Sequence, residues 1–186
     1  MRRDDLDVVL GQIGARLREG TRVFLVGEAS QLFEGWIQEA GAVVLAPGTA
    51  AGRAAVERSL AAGVANPGVR VVIESPGDVI PLPAGYDSRA RPASPGRDGD
   101  QPHGLDLWHY DPYSVSFRLL ARGDEEDYRV GLEFLQHGWT RIEEMHALLQ
   151  ELLPRFTNQT IQQDPAEFRR KCKGLLQMWK AVSSKQ

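Results

Sequence analysis

The chain has a single cysteine, Cys172, and no apolar run near the length of a membrane-spanning helix. One thiol excludes an internal disulfide and supplies too few thiolates for a cysteine-rich zinc site. A membrane-spanning helix needs about 20 consecutive apolar residues. We therefore expect a cytoplasmic protein that has no membrane partner.

The chain also lacks a large excess of either charge. Its 186 residues include 22 lysines and arginines and 25 aspartates and glutamates, which gives a formal net charge of -3. This balance excludes a generally basic nucleic-acid coat, although a local basic face stays open. Acids directly after the first arginines, in "MRRDDLDVVLGQIG", argue against a signal peptide. The contents of 42% hydrophobic and 25% charged residues are typical of a globular domain.

The first part of the chain alternates helix and strand patterns. Leucine, valine and isoleucine recur at helical spacing from Leu6 to Leu17, and Asp4 or Asp5 is the expected N-cap. A second helix is predicted from Glu28 to Gln38, and a third in "TAAGRAAVERSLAAGV". Buried strands are predicted in "TRVFLVG", "GAVVLAPG" and "GVRVVIES". This order predicts an α/β (α+β) fold in which a small mixed sheet is flanked by helices.

Residues 81–104 are rich in proline, glycine and charge and show no periodicity, which predicts a long loop. A strand in "LDLWHY" follows, alternating around Leu105, Leu107 and His109. From Asp111 the chain is predicted to be helical to its end, with helices starting at Asp111-Pro112, after Gly123 and at Asp164. We therefore divide the chain into an α/β domain, 1–110, and a helical region packed on it, 111–186.

Several segments resemble a family of small prokaryotic nucleotidyltransferases related to the enzymes of abortive-infection and toxin–antitoxin systems. The most specific segment is "HYDPYSVSFRLLARGDEEDYRVGLEFLQHG", and "VRVVIESPGDVIP" and "DPAEFRRK" are also similar. The stretch from Phe24 to Trp36 resembles the family's strand, glycine turn and helix. This resemblance implies a nucleotidyltransferase-like fold followed by a C-terminal helical bundle.

The family's chemistry depends on carboxylates that hold divalent metal, usually two magnesium ions, beside a triphosphate. The resemblance places the acid pair at Ala42 and Val44, neither of which is acidic, and a third carboxylate at Asp106. Glu28 replaces the second glycine of the turn. One retained carboxylate cannot hold two magnesium ions, so we expect a degenerate active site and no cofactor.

The residues that the resemblance leaves for a nucleotide phosphate are Gly27, Ser30 and Arg118. Gly27 has the alternative of being only a tight turn. Arg118 has the alternative of pairing with the acids of residues 124–127. The four histidines show no ligand spacing, so no metal site is predicted, with Asp106 the only residue carried over as a ligand.

Three functions follow as hypotheses. The first is a pseudoenzyme that binds a protein partner in a defence, toxin–antitoxin or DNA-processing system. The second is an active nucleotidyltransferase, using magnesium and a nucleoside triphosphate, whose relocated carboxylates are Asp106 and Glu74, with Glu28 or Glu34 beside them. The third is a nucleic-acid-binding module that uses the basic last helix through Arg169, Arg170, Lys173 and Lys180.

Overall fold

The computed structural model describes residues 1–17, 20–63, 68–93, 105–156 and 164–184. The chain divides into two compact units. The first, here called the sheet unit, contains Met1–Ser75 and Ala90–Tyr110. The second, the helical unit, contains Pro76–Arg89 and Asp111–Gln186. The chain thus crosses between units after Tyr110, and residues 76–89 group with the helices that follow.

The sheet unit contains five strands and three helices among its described residues. The strands are β1 (Thr21–Val26), β2 (Val43–Pro47), β3 (Val71–Ile73), β4 (Arg91–Pro92) and β5 (Leu105–His109), and the helices are α1 (Arg3–Gly14), α2 (Glu28–Phe33) and α3 (Ala50–Ala61). The strand order is β3-β2-β1-β5-β4. The pairs β1/β5 and β2/β3 are parallel, whereas β1/β2 and β4/β5 are antiparallel. The predicted mixed α/β sheet is confirmed.

Alternation along the strands places one face of the sheet in a hydrophobic core with the helices. Val23 and Leu25 of β1 lie in this core with Leu45 of β2 and Leu107 of β5. The other face carries Arg22, Phe24, Asp106 and Trp108, which are paired across β1 and β5 in register. The two faces therefore separate apolar packing from the polar residues carried by β1 and β5.

Three helix boundaries in the sheet unit differ from the prediction. The N-cap of α1 is Arg2, and Asp5 instead accepts a hydrogen bond from the Arg2 backbone N–H at 2.9 Å. The helix ends at Gly14, before Leu17. Helix α2 ends at Phe33, well before the predicted Gln38, because Gly35 at φ 76° turns the chain away.

The helical unit contains five helices among its described residues. They are α4 (Tyr86–Arg89), α5 (Pro112–Arg122), α6 (Glu125–Gln136), α7 (Ile142–Leu152) and α8 (Pro165–Ser183), with short 3₁₀ turns at Pro76–Asp78 and Leu153–Arg155. Helix α5 starts and ends as predicted, capped by Asp111 and stopped by Gly123 at φ 81°. The core of the unit includes Phe117, Phe168, Cys172 and Leu175. No helix in the described ranges has the length and apolar content needed to cross a membrane.

The described part of the predicted long loop, residues 81–93, contains two short elements that the sequence did not predict. Residues 86–89 form α4, and residues 91–92 form the edge strand β4 against β5. Proline is tolerated in such a strand because its missing N–H is needed least at a sheet edge. Residues 94–104 lie outside the described part of the chain.

Candidate functional site

The turn after β1 is built around Gly27, the N-cap of α2. Its φ of 61° and ψ of -126° form a conformation that residues with a Cβ rarely adopt. The Gly27 carbonyl oxygen accepts hydrogen bonds from the backbone N–H groups of Ser30, at 3.0 Å, and Gln31, at 3.3 Å. The glycine is therefore required by the backbone geometry of the strand-to-helix turn.

The side chains beside this turn support the local structure. The buried Ser30 hydroxyl donates a hydrogen bond to the Leu25 carbonyl oxygen at 3.0 Å. The Glu28 carboxylate accepts the backbone N–H of Gly41 at 2.9 Å and so fixes the loop before β2. Ser30, which was predicted to lie near a phosphate, and Glu28, which replaces the second glycine, therefore both have partners inside the sheet unit.

Asp106 belongs to a cluster at the start of β5. Its carboxylate accepts hydrogen bonds from Arg22 Nε at 2.7 Å and from Trp108 Nε1 at 2.6 Å. The Arg22 guanidinium also lies 4.3 Å from the centre of the Trp108 ring. Partial desolvation acts to raise the pKa of Asp106, but the hydrogen bonds from Arg22 and Trp108 outweigh it and hold the pKa below its usual value. Asp106 is thus an ionised partner of an arginine.

The sheet keeps Asp106 away from the glycine turn. Asp106 is in register with Arg22, and Gly27 follows Arg22 by five positions along the same strand direction. At about 3.3 Å per residue, this corresponds to a separation of about 16 Å. Asp106 and the glycine turn therefore lie near opposite ends of β1.

Glu74 is also remote from Asp106. It follows β3, and its backbone N–H donates to the Leu45 carbonyl oxygen at 3.0 Å. Three strand spacings separate β3 from β5, which is about 14 Å across the sheet. In the described residues, no group of three or more histidine, cysteine, aspartate or glutamate side chains has the arrangement of a metal site.

The position predicted for the acid pair is apolar in the folded chain as well. Val44 lies in β2 opposite Val26 of β1 and next to Val72 of β3. Ala42 precedes the strand. Positions 42 and 44, where the resemblance places two carboxylates, thus carry an alanine and a valine and present no acidic pair.

A pair that the sequence does not predict lies near the carboxyl end of β5. His109 Nε2 is 2.9 Å from Glu34 Oε1, and the imidazole lies edge-on to Phe33 with a ring separation of 5.7 Å. Burial, with the positive charges of Arg91 and Arg3, lowers the pKa of His109 to about 4. Burial also raises the pKa of Glu34, against the opposing influence of Arg3 and Arg91. The imidazole is therefore neutral at neutral pH.

A cavity of about 660 Å³ opens beside this pair and is lined by residues of α1, α2 and the loop after α2. Arg3 packs over the Phe33 ring at 4.0 Å and donates to the Phe33 carbonyl oxygen. Arg2 pairs with Glu39 across the rim at 3.0 Å. Glu34 lines the cavity and also contacts the buried His109. The sequence signal for the histidine is weak, because it only continues the apolar alternation of β5.

The arginines of α5 have different environments. Arg118 is half-buried on this helix. The acids after the helix pair with Arg122, which lies 3.0 Å from Asp124 and also contacts Asp127. Arg122 therefore pairs with two of these acids, and the two roles that the sequence suggested for Arg118 stay predictions.

The basic residues predicted for nucleic acid lie on α8. Arg169, Arg170, Lys173 and Lys180 are all exposed. Lys171 is different, because its ammonium group donates to the carbonyl oxygens of Ala121 and Arg122 at 2.8 and 3.0 Å. Lys171 therefore attaches α8 to the end of α5.

Comparison with known proteins gives no relationship, because no protein-family model, curated protein or solved structure matches the chain.

Proposed function

We propose that this protein is a nucleotidyltransferase-like protein that has lost metal-dependent chemistry and acts by binding a protein partner. The observation that carries the proposal is that the candidate metal-binding carboxylates lie far apart in the sheet unit. Asp106 is about 16 Å from the glycine turn and is tied to Arg22 and Trp108.

Metal-dependent nucleotidyl transfer requires carboxylates around two ions about 3.5–4 Å apart. The acids offered by the relocated-carboxylate alternative do not meet that requirement, since three strand spacings, about 14 Å, separate the strands of Asp106 and Glu74. Glu28 holds the backbone of Gly41, and Glu34 lies against His109. Glu28 and Glu34 therefore make contacts that support the local fold.

The described residues nevertheless include a strand, a glycine turn and a helix, with Gly27 in a conformation that residues with a Cβ rarely adopt. Because the described residues hold no group of metal-ligating acids, this arrangement supports binding over catalysis. We infer that the partner is a protein and that the setting is a defence, toxin–antitoxin or DNA-processing system, as the motif resemblance implies. Arg118 stays the candidate for any residual contact with an anion.

The first test is thermal unfolding with each nucleoside triphosphate, with and without magnesium. A ligand present at a hundred times its dissociation constant stabilises the native state by about 2.7 kcal/mol, which is a measurable shift in Tm. We expect no magnesium-dependent shift and no transfer of labelled nucleotide to RNA or protein. Transfer by the wild-type protein that Asp106→Asn abolishes would instead establish the relocated-carboxylate enzyme.

The second test addresses the partner directly. The tagged full chain is purified from its native cells, treated with nuclease and washed at high salt. We expect a co-purifying protein in a fixed stoichiometric ratio, and the same ratio after reconstitution from purified components. Failure to reconstitute any such complex would contradict the proposed mode of action.

A further inference from the structure

Three cations of α8 form a row on one side of that helix. Arg169, Lys173 and Lys180, here called the cationic stripe, are all exposed. Helical geometry places them within about 40° of one another around the axis. At about 1.5 Å per residue, the stripe extends over about 16 Å.

The stripe differs from other exposed arginines of the helical unit by its lack of acidic partners. Arg129, Arg141 and Arg155 each lie near a glutamate three or four positions away, Glu126, Glu144 and Glu151 respectively. Across the described ranges, the three stripe residues have no ion pair. The only acid within α8 is Glu167, which lies 3.9 Å from Arg170 and 3.5 Å from Lys171.

The helix that carries the stripe is fixed to the unit. Phe168, Cys172 and Leu175 are buried in the core, and Lys171 binds the last carbonyl groups of α5. The stripe points away from this apolar side, about 110° around the helix. Its charges are therefore displayed on a surface that needs no rearrangement to bind.

We propose that the cationic stripe binds the phosphate backbone of a nucleic acid. A row of uncompensated cations matches a row of regularly spaced anions and gains affinity by releasing counterions. An anionic membrane fits less well, because the exposed apolar residues Met178 and Val182 each lie about 160° around the helix from Lys180. One bilayer surface cannot contact both sides of the helix at once.

The test measures the salt dependence of binding to a fluorescent duplex of about 20 base pairs. Three phosphate contacts predict a slope of log affinity against log salt of about -2.7, so a tenfold rise in salt weakens binding about 500-fold. A protein partner recognised by shape shows a much smaller slope. The sheet unit is unchanged in this experiment, so its outcome is separate from that of the proposed function.

Two triple variants with equal charge change provide the comparison. R169Q/K173Q/K180Q removes the stripe, whereas R129Q/R141Q/R155Q removes three exposed arginines of the helical unit that are paired with acids. We expect the first to abolish measurable binding and the second to keep most of the affinity and the slope. Circular dichroism verifies that both variants are folded.

Equal losses in the two triple variants would overturn the proposal, because binding would then follow net charge alone. So would duplex binding that the stripe variant leaves intact. Stripe-dependent binding to phosphatidylserine vesicles, with no binding to the duplex, would assign the surface to a membrane and reject the nucleic-acid assignment.

Discussion

The Arg89 guanidinium donates two hydrogen bonds to the carboxylate of Asp111, from Nε at 2.9 Å and from Nη2 at 3.0 Å. Asp111 is fully buried and also accepts hydrogen bonds from the Ser114 hydroxyl and from the backbone N–H groups of Tyr113 and Ser114. One carboxylate therefore caps α5 and attaches α4 to it. A buried charge is tolerated only with such complete pairing.

Replacing Asp111 with alanine is expected to destabilise the helical unit by about 3–5 kcal/mol, because it leaves the Arg89 charge without its partner. Urea unfolding at neutral pH measures the change. The matched control is Asp87→Ala on exposed α4, which should change stability by less than about 0.5 kcal/mol. Similar losses in the two variants would show that the buried pairing contributes little.

Gly27→Ala tests the strained turn after β1. A side chain at φ 61° and ψ -126° is expected to cost about 1–3 kcal/mol. Gly11→Ala is the control, since Gly11 lies inside α1 and an added Cβ meets no atom within 4 Å. That second variant should gain about 0.5–1 kcal/mol. Two stabilised variants would mean that the turn does not require glycine.

We expect the ion pair of Asp106 with Arg22 to contribute only modestly to the free energy of unfolding. A double-mutant cycle of Asp106→Ala and Arg22→Ala should give a coupling free energy of about 0.2–1 kcal/mol, since half the Arg22 side chain is exposed. The coupling should shrink at ~1 M salt, where screening is strong. A coupling that salt leaves unchanged would place the pair in a drier environment than the one described.

Local signals in the sequence predicted α5 well, because its two ends depend on residues that are adjacent in the chain. Asp111 caps the helix by accepting the backbone N–H groups of Tyr113 and Ser114, and Gly123 ends it by its positive φ, so both boundaries follow from local geometry. Helix α2 was predicted five residues too long, since Trp36 and Ile37 continued an apolar pattern although Gly35 ends the helix by its positive φ. Helix α4 and strand β4 were not predicted, because the proline, glycine and charge content of residues 81–93 indicated only a loop.

Contacts between residues far apart in the chain could not be predicted from the sequence. Nothing in the neighbourhood of Asp111 indicates Arg89, which comes from a segment predicted to be a loop 22 positions earlier. The Glu34–His109 pair was missed for the same reason, since 75 positions separate its members and only the β1–β5 pairing brings their elements together. The position of Asp106 along the sheet likewise required the strand register.

His109 should make stability depend on pH. Its pKa is about 4 in the folded protein, against 6.5 for an unperturbed histidine, since burial disfavours the charged form, with Arg91 and Arg3 adding to the effect. The unfolded chain therefore takes up the proton first as pH falls. Stability contributed by neutral His109 is fully present above about pH 6.5 and is lost as pH falls towards 4.

The expected loss from His109 alone is about 2 kcal/mol between pH ~7 and pH ~5. Glu34 acts in the opposite direction, because its raised pKa lets the folded state accept a proton before the unfolded chain does. The measurement is urea unfolding of the wild type and of His109→Gln at both pH values. His109→Gln should show the smaller fall, and the control variant is His146→Gln, which changes an exposed histidine of α7. An equal fall in all three proteins would show that the buried imidazole does not govern the acid sensitivity of the sheet unit.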